Sequence, residues 1–208
     1  MIKYILAALV FGVVAGYLNN NLGPLIAGNW ISDYLFNVSL ILLLFVMGLS
    51  FGLDKEAASK LRRTGSKILI VPFAVAFGSI LGGLVASLIL RLDVIASMAV
   101  SAGCGWYTLT GPLVGQIFGT EWGALGFVMN FLRELLTIVT VSLMVRVDKY
   151  APIASGGATA MDTTLPVIVR YCGSDALIVA FSSGFILTVI APFIIIAIAS
   201  LGQVSLFL

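Results

Sequence analysis

The chain contains no histidine among its 208 residues, only two cysteines, and so few ionisable side chains that Asp, Glu, Lys and Arg together make up 10% of it. Each shortage removes a class of chemistry. Without histidine there is no imidazole to act as a base near neutral pH or to ligate a metal, so any proton coupling must run through carboxylates. Cys104 and Cys172 do not occupy matching places in the repeat described below, and two such cysteines make neither a zinc site nor a disulfide framework. Small apolar packing is their expected role. No pairing of nucleophile with base is present, so the chain does not read as an enzyme, and no metal or other cofactor is expected. The net charge of +2 implies no nucleic-acid surface.

What the chain has in abundance is apolar length, with 61% hydrophobic residues. That composition belongs in a bilayer. Its runs are long and continuous rather than short and alternating, which points to helices and not to a β-barrel. Five runs could cross: 4 to 18, 34 to 53, 68 to 90, 122 to 146 and 175 to 202. The first is short, covering roughly 22 Å at the helical rise against a hydrocarbon core of about 30 Å. Either it borrows turns beyond Asn19, Asn20 and Asn21 or it sits where the membrane thins. It also has the look of a signal peptide, with Lys3 ahead of an apolar stretch and Ala15-Gly16, but no good A-x-A cleavage site follows.

Basic residues set the orientation, because cytoplasmic loops concentrate them. Lys55, Lys60, Arg62, Arg63 and Lys67 share one loop. If that loop is cytoplasmic, Lys3, Arg146, Lys149 and Arg170 fall on the same side, the turn near Arg91 and Asp93 lies outside, the N-terminus is cytoplasmic and the C-terminus is external. Only Arg91 dissents. The scheme requires that 94 to 118 and 153 to 170 enter the membrane and return without crossing it.

Those two stretches hold an internal repeat. Ser101, Gly103, Thr110, Pro112, Gly119, Phe127 and Phe131 recur 54 positions on as Ser155, Gly157, Thr164, Pro166, Gly173, Phe181 and Phe185, and Glu121 is matched by the acid Asp175. Irregular Gly/Ser/Thr-rich chain survives at membrane depth only where protein covers it or a wet cavity hydrates it. The expected architecture is therefore an all-α integral membrane protein of about five transmembrane helices plus two re-entrant hairpins. One hairpin enters from outside and the other from the cytoplasm, so the units form an inverted repeat of the kind that supports alternating access. A single transport domain spans 1–208, with three leading helices in 1–93, repeat unit one in 94–147 and repeat unit two in 148–208. The hairpin tips are expected at 103 to 111 and 156 to 165, with Pro112 and Pro166 opening the return helices. Gly103, Gly105, Gly111, Gly156 and Gly157 would shape the tip backbone. The half-helix N-termini suit a carboxylate, and the hydroxyls of Thr108, Thr110, Thr159, Thr163 and Thr164 suit a cation or an ammonium group. Ordinary external loops are the alternative reading of both stretches. The spacings Gly12/Gly16, Gly78/Gly82 and Gly115/Gly119 read as helix packing.

Three ionisable side chains cannot be assigned to a loop: Arg133, Glu134 and Asp162. A charge at the centre of a membrane helix costs about 2.5 to 3.5 kcal/mol on insertion scales, so such residues pair or face a cavity. Asn130, Arg133, Glu134 and Thr137 fall on one helical stripe. A locking ion pair of Arg133 with either acid is one reading. The surplus carboxylate favours another, in which Glu134 and Asp162 bind protons and a cationic substrate. Trp106 and Tyr107 would contact the substrate's alkyl chain, gate the site, or serve as aromatic packing.

The segments SAGCGWYTLTGPL, GFVMNFLRELLTIV and GGATAMDTTLPVIVR resemble the C-terminal half of the LysO-type lysine exporters, and the likeness runs from the N-terminus to about residue 200. The resemblance implies a cell inner-membrane exporter of L-lysine or a similar cationic amino acid that exchanges substrate for protons. It implies that Glu134, in the R-E-L motif, and Asp162, in the M-D motif, are essential acids, with the C-terminus outside. Full-length members carry a further N-terminal region of roughly three crossings at ~20 residues each. A homodimer, or a complex with a separate small N-terminal membrane subunit, is therefore the expected assembly. A channel-like or non-transporting subunit is the alternative function.

Overall fold

The computed structural model describes residues 70–204 continuously, together with scattered helical residues between 10 and 53. Residues 1–55 form one compact unit and 56–208 another. The basic loop of Lys55 to Lys67, and much of the runs 4 to 18 and 34 to 53, lie outside the described residues. Within the second unit the elements are α1 (Ile70–Leu90), α2 (Val94–Ala102), α3 (Tyr107–Phe118), α4 (Thr120–Val147), α5 (Ala151–Gly156), a 3-10 segment (Gly157–Met161), α6 (Leu165–Cys172) and α7 (Ala176–Val204). No strand occurs among the described residues.

The packing is inverted relative to a protein folded in water. Phe73, Phe77, Val85, Leu88, Leu136, Val139, Leu143 and Phe193 are exposed, while Ser87, Ser97, Thr110, Asn130, Glu134, Thr137, Thr164, Ser183 and Thr188 are buried. Hydrocarbon is the solvent that accepts such a surface, and small or polar residues then make the helix contacts. Among the described residues, three helices are long and apolar enough to cross a membrane: Ile70–Leu90, Thr120–Val147 and Ala176–Gly202 within α7. They coincide with the last three apolar runs of the sequence.

The 54-residue repeat is visible as repeated element order. A short helix, a break, a second short helix and a long helix occur as α2, tip, α3 and α4, then as α5, tip, α6 and α7. The details match as well. Gly119 and Gly173, which end α3 and α6, have φ/ψ of 102°/164° and 86°/167°, a region that L side chains avoid. Phe127 stacks on Phe131 at 6.3 Å, and Phe181 stacks on Phe185 at 6.3 Å. The paired acids open the long helices, Glu121 in the first turn of α4 and Asp175 just ahead of α7, where the helix dipole favours them.

One boundary differs from expectation. The first tip is only Gly103 to Trp106, and α3 starts at Tyr107, so Pro112 lies inside that helix rather than at its start. The early start is fixed by the Trp106 carbonyl, which accepts from the Thr110 amide at 2.9 Å and from its hydroxyl at 2.7 Å. An interior proline, the sixth of the 12 residues of α3, costs that helix the bond to the Thr108 carbonyl. Pro166 does occupy the first turn of α6, as expected. A glycine seam joins α3 to α4: a Cβ on Gly123 would lie 2.7 Å from the Gly115 Cα and 2.8 Å from the Gly111 carbonyl. The expected packing role thus holds for Gly115, whereas a Cβ at Gly12, Gly16, Gly78, Gly82 or Gly119 would meet none of the described residues within 4 Å.

Candidate functional site

The two interruptions meet. The Ala158 amide in the second tip donates to the Cys104 carbonyl in the first at 2.8 Å. Around that bond the backbones are in direct contact, since a Cβ on Gly105 would lie 2.9 Å from the Gly156 carbonyl. Gly105 and Gly157 have φ of 97° and 62°, and Cys104 itself has φ of 51°. Glycine is needed at 105 and 157 for both conformation and space. Cys172 packs with Ile153, Ile168 and Ala176 as apolar filling, while Cys104 is buried among Val75, Ala76, Ala158 and Leu187 with its thiol beside the Ser79 hydroxyl.

The polar stripe of α4 holds both tips. Asn130 is buried; its Oδ1 accepts from the Gly105 amide at 2.7 Å, and its Nδ2 donates to the Val100 and Gly126 carbonyls at 2.9 Å each. Arg133 reaches the other tip: Nε donates to the Ser155 carbonyl at 2.7 Å, Nη2 to the Ala154 carbonyl at 2.9 Å and Nη1 to the Ser79 hydroxyl at 2.8 Å. The guanidinium thus caps the carbonyl end of α5, where a cation is favoured. Thr137 adds a hydroxyl contact to Ser155 at 2.7 Å. The second repeat makes the corresponding contacts without charge. Gly184, in the place of Asn130, lets α7 approach the second tip so closely that a Cβ there would lie 2.6 Å from the Met161 amide. Leu187, in the place of Arg133, packs against Cys104 of the opposite tip.

Glu134 is 8% exposed, and its Oε2 is buried with no hydrogen-bond partner. Tyr107, the first residue of α3, interacts with this carboxylate and lies within electrostatic reach of Asp162 as well. The tyrosine ring is fixed edge-on to Phe127 at 5.3 Å and to Phe131 at 5.6 Å. Asp162 is exposed, with Thr163 as its neighbour and hydrogen-bond donor. Among the described residues the ion pair is Lys149 with Asp175 at 3.7 Å; the expected alternative of a lock between Arg133 and an acid is not formed. The cause is geometric. Consecutive residues on a helix diverge by about 100°, so Arg133 turns to the second tip and Glu134 to Tyr107.

The threonines divide into two groups. Thr110, Thr159 and Thr164 are buried, with Thr159 donating to the Gly156 carbonyl at 2.9 Å and lying 3.4 Å from the Thr164 hydroxyl. Their hydroxyls fasten the tips. Thr108 and Thr163 are exposed beside the acids' end of each return segment. Trp106 packs into the apolar cluster around Cys104 rather than standing free. No group of three or more potential metal ligands occurs among the described residues.

A family model described as lysine exporter LysO matches residues 6–199. The chain belongs to this family. Over 159 residues it is 35% identical to the lysine exporter LysO of Escherichia coli (strain K12), covering 76% of this chain and 52% of that protein. Over 196 residues it is 26% identical to the putative lysine exporter of Haemophilus influenzae, covering 94% of this chain and 97% of that protein. The chain spans about half the length of the first relative and nearly all of the second. No solved structure matches it. Within this LysO-family site, sequence reasoning missed Ser79, the third partner of Arg133, and Ser155 as its carbonyl acceptor. Ser79 had a faint signal, as one of two hydroxyls, with Ser87, inside the otherwise apolar run 68 to 90.

Proposed function

We propose that this chain is a secondary exporter of L-lysine or a similar cationic amino acid, working by proton antiport and alternating access. The observation that carries the reading is the buried Glu134 carboxylate, which has no cationic partner among the described residues, with Tyr107 close enough to feel both it and Asp162. A carboxylate so placed binds either a proton or an ammonium group, and exclusive occupancy by one or the other is what couples two opposed fluxes. The names of the two relatives support lysine as the substrate class. The recurring element order supports the inverted repeat: α2–α3 and α5–α6 would be re-entrant hairpins entering from opposite sides, and rocking of one unit against the other would expose the tips to each face in turn. The charge placement supports a cytoplasmic N-terminus and an external C-terminus in the cell inner membrane.

The test is lysine-driven proton movement in proteoliposomes. Wild-type protein should acidify or alkalinise the lumen according to the direction of the lysine gradient, and Glu134→Gln and Asp162→Asn should each abolish the signal. Undiminished coupling in both variants would defeat the mechanism.

A further inference from the structure

An open cavity of about 580 Å³ lies between α1, the end of α4 and α5. We propose that it is a substrate vestibule in which Arg133 binds the α-carboxylate of the amino acid before the ammonium group reaches Glu134. This inference rests on the export reading. The cavity's size falls within the ~300–1,000 Å³ typical of small-molecule sites. Its walls include Ile70, Val71, Ala74 and Val75, with Arg133 contributing a cation and Asp148 an acid where α4 ends. A guanidinium carries five N–H donors. Three are met by Ser155, Ala154 and Ser79, which leaves two without a partner among the described residues on a group that also lines the cavity. No acid neutralises Arg133 among the described residues. A buried cation without a counter-ion is unfavourable, and a carboxylate arriving through the cavity supplies one. The remaining parts of lysine match the rest of the lining: aliphatic walls for its methylene chain and the Asp148 side for its ammonium group.

Residues 133 and 134 face different ways from α4, so this subsite is distinct from the Glu134 centre and precedes it on the route from the Asp148–Tyr150 turn. Gly78 lines the cavity, and an added Cβ there meets no atom of the described residues within 4 Å; the same is true of Gly82, one turn further on, which does not line it. Gly78→Leu therefore places bulk at the vestibule wall and should lose export, while Gly82→Leu should export as the wild type does. A second readout uses Ala74→Cys in everted vesicles with a membrane-impermeant thiol reagent, with the wild type, whose two cysteines are buried, as the blank. Labelling should be slowed by lysine and not by cadaverine, its decarboxylated analogue. Full export by Gly78→Leu, or equal protection by cadaverine, would overturn the carboxylate site and leave the export reading standing. Failure of the wild type to move lysine would overturn the reading itself.

Discussion

Replacing Gly157 with alanine should part the two tips. The new Cβ would lie 2.2 Å from the Cys104 carbonyl oxygen, 3.1 Å from its carbon and 3.2 Å from Arg133 Nη2. The first contact requires a backbone shift of about 1 Å to reach normal van der Waals separation. Alanine must also adopt φ 62° and ψ −124°, outside even the left-handed helical well, so the cost is at least the ~1–2 kcal/mol of a left-handed residue. Overpacking adds about 1–3 kcal/mol, giving a total of ~2–5 kcal/mol set against the joined state. Separation relieves both terms and gives up chiefly the Ala158–Cys104 hydrogen bond, worth about 0.5–1.5 kcal/mol net. The balance favours parted tips by ~0.5–4.5 kcal/mol, which is roughly a two- to two-thousandfold shift in population. The Cys104 side chain, 1% exposed in the native contact, reports that shift directly through its rate of reaction with a small thiol reagent. Gly157→Ala in a Cys172→Ser background should label much faster than the Cys172→Ser parent. An unchanged labelling rate in a correctly inserted variant would refute the reasoning, because it would mean the tips absorb a methyl group without separating.

Asn130→Ala removes three hydrogen bonds, and leaving the buried Gly105 amide unmet costs about 1–3 kcal/mol, so a lowered unfolding midpoint in detergent is expected, with Asn130→Asp recovering part of it. Tyr107→Phe keeps the edge-on contacts with Phe127 and Phe131 but loses the hydroxyl, so export should show an altered pH dependence with little change in thermal stability. Lys149→Ala breaks a pair whose side chains are 46% and 89% exposed; screened at that surface, it should cost under about 0.5 kcal/mol and leave the melting curve nearly unmoved.

Much of the fold was legible in residues 101 to 185, because helix breaks need special residues and the chain supplies them twice. Gly119 and Gly173 adopt the same unusual backbone geometry, and the stacked phenylalanine pairs follow from matched positions. The polar stripe of α4 was legible too, from the cost of placing Asn130, Arg133 and Glu134 in hydrocarbon. What periodicity cannot convey is which way a side chain reaches once helices are packed. Arg133 was a candidate for an ion pair and instead caps α5, because the carbonyls of Ala154 and Ser155 lie in its path. Pro112 suggested a helix start, yet the Trp106 carbonyl opens α3 earlier. That the tips touch at Cys104 and Ala158 depends on contacts between segments far apart in sequence, and no local pattern encodes it. The asymmetry was readable and gains meaning in three dimensions: Glu134 and Thr188 are both buried at equivalent places, and Asp162 and Thr108 are both exposed. The repeat keeps the burial and changes the chemistry.

The claim at the centre of this account is that Glu134 exchanges a proton for the substrate's ammonium group. Lysine binding to the purified chain, followed calorimetrically in buffers of different ionisation enthalpy, measures that exchange without relying on flux. The account predicts proton release on lysine binding in the wild type and none in Glu134→Gln; equal proton release by the two proteins would contradict it.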